Sequence, residues 1–214
     1  GDAKDGDAEF VQVENLSRRF GDFTAVDDVS FSVTRGSTHA IVGESGSGKT
    51  TTGRTIGLFD QPSDGVVRLG GKDIHAAKGK ERRGLRQNIQ VVYQNPYSSL
   101  NPRMRIGDII AEPLRNFHGM ARAEARAKAK NFLELVSLDA SMFNRRAAEL
   151  SGGQRQRVAI ARAMIVEPEL VILDEAVSAL DVTVQAQILR LLDELQDKLG
   201  LTYIFISHDL AVVR

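Results

Sequence analysis

The stretch Gly43 to Thr50, GESGSGKT, constrains this chain more than any other. It fits G-x-x-x-x-G-K-[ST], follows the apolar run His39-Ala40-Ile41-Val42, and opens into a helix-compatible run from Thr51 to Leu58. Strand, glycine-rich loop and helix in that order let backbone N–H groups wrap a phosphate, and the helix N-terminus adds a partial charge of about +0.5. Lys49 is then expected at the β- and γ-phosphates and the Thr50 hydroxyl at Mg²⁺, with Gly43, Glu44, Ser45, Gly46, Ser47, Gly48 and Thr51 completing the cradle. A turn that only joined strand to helix would not need Lys-Thr at that offset. The stretch reads as a nucleoside triphosphate site.

At 214 residues the chain has room for one large domain, or a domain with a subdomain, around this loop. Lys plus Arg and Asp plus Glu both number 28, so no global field draws in nucleic acid or an anionic membrane, and no nucleic-acid partner is expected. Absent cysteine excludes disulfides and thiolate metal sites. No apolar run approaches the roughly 18 residues of a spanning helix, so membrane contact is expected only through partners. The leader GDAKDGDAE, residues 1–9, is polar and acidic and reads as a linker or tag remnant.

From Phe10 the pattern becomes strand-like, with one run through Glu14, another from Thr24 to Val33, and a turn at Gly21-Asp22 between them. A further strand is expected at Gly65 to Leu69. Phe20, just before the turn, either stacks on a base or fills the core under the hairpin, and periodicity favours the core. The basic run Lys78 to Arg86 lacks interleaved aromatics and reads as a solvated face. Ile89 to Tyr93 reads as a buried strand ended by Gln94-Asn95-Pro96, which puts Gln94 where ligands lie in doubly wound sheets.

From Asn101 to Met164 the character is helical, with Ile106, Ile109, Ile110 and Leu114 on one face and the helix-forming run Ala121 to Leu138. Ser151-Gly152-Gly153-Gln154 then opens another helix, as a plain cap or as a second anion site. The buried strand Leu170 to Leu173 ends in Asp174-Glu175. Carboxylates placed there need a partner, so Asp174 is expected to hold Mg²⁺ through its water shell and Glu175 to deprotonate an attacking water. An amphipathic helix from Thr183 to Leu199 and a strand from Thr202 to Ile206 follow. His39, His75 and His118 read as bystanders, whereas His208 ends a strand beside the acid pair.

Taken in order, the phosphate loop, Gln94, Leu150 to Gln154 (LSGGQ), Asp174-Glu175, Ser178 to Asp181 (SALD) and Ser207-His208-Asp209 resemble the ATP-binding cassette ATPases, and the resemblance covers Phe10 to Arg214. It implies a P-loop α/β core with an N-terminal antiparallel β-lobe and an inserted helical subdomain at about 95–166, as one nucleotide-binding domain over 10–214. It also implies two cassettes meeting head to tail, so that Ser151, Gly152, Gly153 and Gln154 touch ATP held by the partner. Glu175 is then the general base, His208 contacts the γ-phosphate and water, Gln94 senses Mg²⁺, and Asp181 acts across the dimer. The same resemblance assigns Phe20 to adenine stacking. Ala176 and Val177 depart from the family's usual proline and small polar residue, and the chain ends at Arg214, where such cassettes normally continue.

Tyr93 to Met104 and Glu175 to Leu189 further resemble the ATPases of oligopeptide and dipeptide importers, a group that includes nickel and glutathione systems. The implied protein is a bacterial importer subunit on the cytoplasmic face of the cell membrane. Its implied partners are a second cassette, two integral membrane permease subunits and, indirectly, an extracellular substrate-binding protein. A soluble cassette ATPase acting on ribosomes or DNA is the rival. The stretch between Thr50 and Leu150 is too short for the long coiled coil of DNA-repair members.

Overall fold

The computed structural model describes residues 8–43, 48–93 and 100–208. In chain order the first half carries β1 (Val11–Phe20), β2 (Phe23–Val33), β3 (Thr38–Val42), α1 (Lys49–Ile56), β4 (Asp64–Leu69), β5 (Lys72–Asp73), α2 (Gly79–Asn88) and β6 (Ile89–Tyr93). The second half carries α3 (Ile106–His118), α4 (Arg122–Leu135), α5 (Gly152–Met164), β7 (Leu170–Asp174), α6 (Val182–Leu199) and β8 (Thr202–Ser207).

The strands form two sheets. One has the order β2-β1-β4-β5, and its β1–β2, β1–β4 and β4–β5 pairs are antiparallel; the hairpin turns at Gly21, whose φ of +60° suits glycine. The other is parallel, in the order β3-β8-β7-β6. Its central strands β7 and β8 are buried on both faces, as expected for a parallel sheet covered on either side.

Side-chain alternation divides those central strands between two cores. Leu170, Ile172, Ile204 and Ile206 pack toward the antiparallel sheet with Phe10, Leu16 and Ile56. Val171, Leu173, Tyr203 and Phe205 face the helices, where they meet Ile110, Leu133, Ile160 and Leu192. The parallel sheet therefore joins the β-lobe to the helical layer.

The apolar face read from the sequence of α3 is buried at Ile106, Ile109, Ile110 and Leu114, although Pro113 removes one backbone donor there. Gly107 lets Phe143 lie against the same helix, since a Cβ would come within 2.4 Å of the ring. The helix anticipated from Ala121 to Leu138 is shorter: it closes at Leu135, and Ser137 takes a φ of +60°. The basic run of α2 buries no residue, in keeping with a solvated face. His75 donates Nε2–H to the Thr55 carbonyl at 2.9 Å and His39 stacks on Phe31 at 4.6 Å, both packing roles. No helix among the described residues is long and apolar enough to cross a membrane.

Candidate active site

The four parallel strands end in register. Val42 lies opposite Ser207, Ile206 opposite Asp174, and Asp174 opposite Tyr93, so the chain segments that follow β3, β8, β7 and β6 start along one edge. Ligands of open α/β sheets bind at this carboxyl edge. Larger hollows of about 520 and 610 Å³ open around Asp108 and Arg126 on the helical side, away from it. The edge is distinguished by chemistry rather than by volume.

Gly48 caps α1 with a φ of +89°, and a Cβ at that position would lie 2.1 Å from the Ala25 carbonyl oxygen. Only glycine fits between the β-lobe and the start of the helix. The next residue, Lys49, is buried and brings Nζ to 3.8 Å from Glu175 Oε1. Thr50 is exposed on the first turn, and the Gly43 amide donates to Ser207 O at 3.3 Å. Glu44, Ser45, Gly46, Ser47 and Gln94 lie outside the described residues.

Glu175 leaves β7 with a φ of +50°, a left-handed conformation that is costly for a side chain of this kind. The turn is over-determined: the Glu175 amide donates to Ile206 O at 2.9 Å, and Ser178 returns its amide and hydroxyl to Glu175 O at 3.1 and 2.8 Å. Its side chain accepts from His208 Nδ1 at 3.0 Å. Because a carboxylate can only accept, His208 carries a proton on Nδ1. A small cavity of about 60 Å³ beside this pair is lined by Glu175, Ser178, Gln185, Ser207 and His208. It has the volume for an ordered water.

Asp174 is half-buried, and this burial raises its carboxyl above the ordinary range, reinforced by the adjacent Glu175 and opposed by Lys49 and Arg54. No hydrogen bond or salt bridge to it occurs among the described residues. Lys49, Glu175 and His208 are thus brought together, with Asp174 at the same edge.

The signature residues form a separate group. Ser151 caps α5 in a reciprocal box, its Oγ accepting from the Gln154 amide at 3.2 Å while Gln154 Oε1 accepts from the Ser151 amide at 3.0 Å. A Cβ on Gly153 would stand 2.7 Å from Val184 Cγ1, whereas Gly152 has space. Asp181 caps α6 through the Val184 amide at 2.9 Å. No hydrogen bond or salt bridge among the described residues joins Ser151, Asp181 or Phe20 to Lys49, Glu175 or His208.

Phe20 corrects the expectation drawn from periodicity. It is 46% exposed instead of lying in the core, with the Arg18 guanidinium 4.5 Å from its ring centroid. Strand alternation assumes an unbroken register, and β1 is shifted between Leu16 and Arg18 and again between Arg18 and Arg19. The motifs also leave out Gln156, which is fully buried and donates Nε2–H to Tyr93 O at 3.1 Å and to Ala176 O. Its signal was a polar residue in the apolar stripe Gln156, Ile160, Met164.

Known proteins share this fold. The structure of cbiO1 from Clostridium perfringens, described as part of the ABC transporter complex cbiONQ, matches with a TM-score of 0.85 at 29% identity, covering 96% of this chain and 81% of that one. The ATP-binding cassette MJ0796, solved as a dimer bound to ADP and Pi, matches at 0.80 and 29%, covering 94% and 89%. In sequence, the oligopeptide transport ATP-binding protein AppF of Bacillus subtilis is 49% identical over 200 residues, 93% of this chain. The di/tripeptide transport ATP-binding protein DppF of Pseudomonas aeruginosa is 42% identical over 212 residues, 99% of this chain. The chain spans 61% of the length of AppF and 66% of DppF. A family model described as ABC transporter matches residues 26–178, taking in the phosphate loop, the signature and the acid pair, and the chain belongs to that family.

Proposed function

We propose that the protein containing this chain binds and hydrolyses ATP as a subunit of a bacterial ABC importer for oligopeptides or dipeptides. The observation that carries the reading is the convergence of Lys49, Glu175 and His208 at one strand edge, 3.8 and 3.0 Å apart through a single carboxylate oxygen. The names of AppF and DppF, as oligopeptide and di/tripeptide transport proteins, support the cargo class.

Lys49 compensates phosphate charge, the glycine-rich loop and α1 N-terminus supply N–H donors, and Phe20 offers a face for the base. Glu175 takes the proton of the attacking water while His208 orients it. Thr50, Asp174 and Gln94 would hold Mg²⁺, which neutralises phosphate charge when bound. Asp174 fits that role because it is a half-buried carboxylate with no salt bridge among the described residues. Among the described residues no cluster of three or more His, Cys, Asp or Glu forms, which suits Mg²⁺, a cation that keeps waters and phosphate oxygens in its shell.

Ser151, Gly152, Gly153, Gln154 and Asp181 serve the ATP of a second cassette, and closure of the pair drives two membrane permease subunits at the cytoplasmic face. An extracellular binding protein delivers the peptide. The test is uptake of a labelled dipeptide and of Ni²⁺ in cells whose complete gene carries Glu175→Gln. Loss of dipeptide uptake alone supports the proposal, and loss of Ni²⁺ uptake alone moves the cargo. Normal uptake of both overturns the importer reading in favour of a soluble ATPase.

A further inference from the structure

Gln156, Ile160 and Met164 lie one turn apart on α5, and all three are 0% exposed. Two of them are apolar, and an apolar side chain of glutamine's volume would satisfy packing at the third. The amide instead spends its donors on the Tyr93 carbonyl at 3.1 Å and the Ala176 carbonyl, and leaves Oε1 buried with no hydrogen-bond partner among the described residues. An unsatisfied buried acceptor is a stability cost that core packing alone does not explain.

The two carbonyls identify what the amide holds. Tyr93 is the last residue of β6, immediately before Gln94, and Ala176 immediately follows Glu175. From the β8 side the Glu175 turn is tied by its own amide to Ile206, and from within by Ser178. Gln156 ties it on the remaining side, and through α5 it connects that turn to the Ser151 capping box. The left-handed backbone of Glu175 is held by these hydrogen bonds.

We propose that Gln156 is a positioning residue for ATP hydrolysis, holding the backbone of the Glu175 turn, and with it the base, in register with the signature helix. This rests on the reading of Glu175 as the base. A displaced base loses rate without loss of nucleotide affinity, because Lys49 and the phosphate loop belong to other elements.

The test uses the complete protein assembled with its partners, in four forms: unaltered, Glu175→Gln, Gln156→Met and Gln156→Glu. Gln156→Met keeps length and packing but has no donor. It is expected to keep ATP affinity within about twofold and to lower kcat by about tenfold or more, at a temperature well below its Tm. In the nucleotide-free protein, the Ser178 amide should exchange its hydrogen faster than in the unaltered chain.

Gln156→Glu supplies a carboxylate to face two carbonyl oxygens, so its turnover should be low near neutrality. It should recover relative to the unaltered protein as acidification restores one O–H donor. Unaltered kcat and Ser178 exchange in Gln156→Met, or a Gln156→Glu profile parallel to that of the unaltered protein, would overturn the proposal. If Gln156→Met does not fold, the Gln156→Glu profile decides alone. Slow Glu175→Gln beside normal Gln156 variants rejects only the positioning role, whereas normal turnover in Glu175→Gln rejects the base and the positioning role together.

Discussion

Lys49 Nζ stands 3.8 Å from Glu175 Oε1, the oxygen that also accepts the His208 Nδ1 proton at 3.0 Å. The cation expected at the phosphates and the carboxylate expected at the water therefore form an ion pair. A triphosphate offers Lys49 a stronger partner, and its departure leaves Glu175 free to accept a proton. Glu175→Gln keeps this geometry but removes the acceptor. ATP affinity should persist while turnover falls by about 10²-fold or more, measured by filter binding and phosphate release.

Lys49→Ala acts on the other member of the pair. It removes the phosphate partner and should weaken ATP binding itself, by at least about tenfold in calorimetry. Nucleotide affinity equal to that of the unaltered chain would contradict the assignment of the loop.

Gly48→Ala tests the contact between phosphate loop and β-lobe. Its Cβ would press on the Ala25 carbonyl at 2.1 Å, in a backbone conformation already at a φ of +89°. Backbone must move to relieve the clash, so thermal unfolding should show a loss of about 2 kcal/mol or more. ATP binding should fail with it.

Ser151→Ala separates capping from contact across a dimer. Loss of the capping box should cost about 1 kcal/mol of stability and leave ATP affinity of the isolated chain unchanged. If Ser151 also meets the partner's nucleotide, hydrolysis in the assembled protein falls much further than that cost implies. Equal, small losses in stability and turnover would leave Ser151 a cap only.

Much of the site was legible because its motifs are local. Lys49, Asp174, Glu175 and His208 each sit at the end of an element whose periodicity is plain, and the sheet then brings those ends into register. Periodicity misplaced Phe20 in the core where register shifts in β1 break the alternation on which that reading relied, whereas the resemblance had assigned it to adenine stacking. Gln156 was missed for a different reason: a polar residue in an apolar stripe marks the position but does not name its partners. Its partners are the backbone carbonyls of Tyr93 and Ala176, and backbone partners carry no sequence signature. Positions that hold a site from behind are fixed by the tertiary fold alone.

Asp174 gives the site a pH dependence whose sign follows from burial. Desolvation, with Glu175 adding to it, raises this carboxyl in the folded chain above its ordinary value of 3.8, despite Lys49 and Arg54. The folded state then binds more protons than the unfolded state between the ordinary value and the raised one. Stability contributed by this group is present in acid and lost as pH rises through that window. Asp174→Asn removes the ionisation and keeps the shape. Denaturant titrations should find the variant more stable than the unaltered chain at neutral pH, with the advantage shrinking as pH falls toward 3.8. Mg²⁺-dependent turnover in the same variant should fall, because the amide lacks the negative charge with which the carboxylate attracts the cation. A variant less stable than the unaltered chain at neutral pH would mean that Asp174 is held by partners stronger than its burial cost.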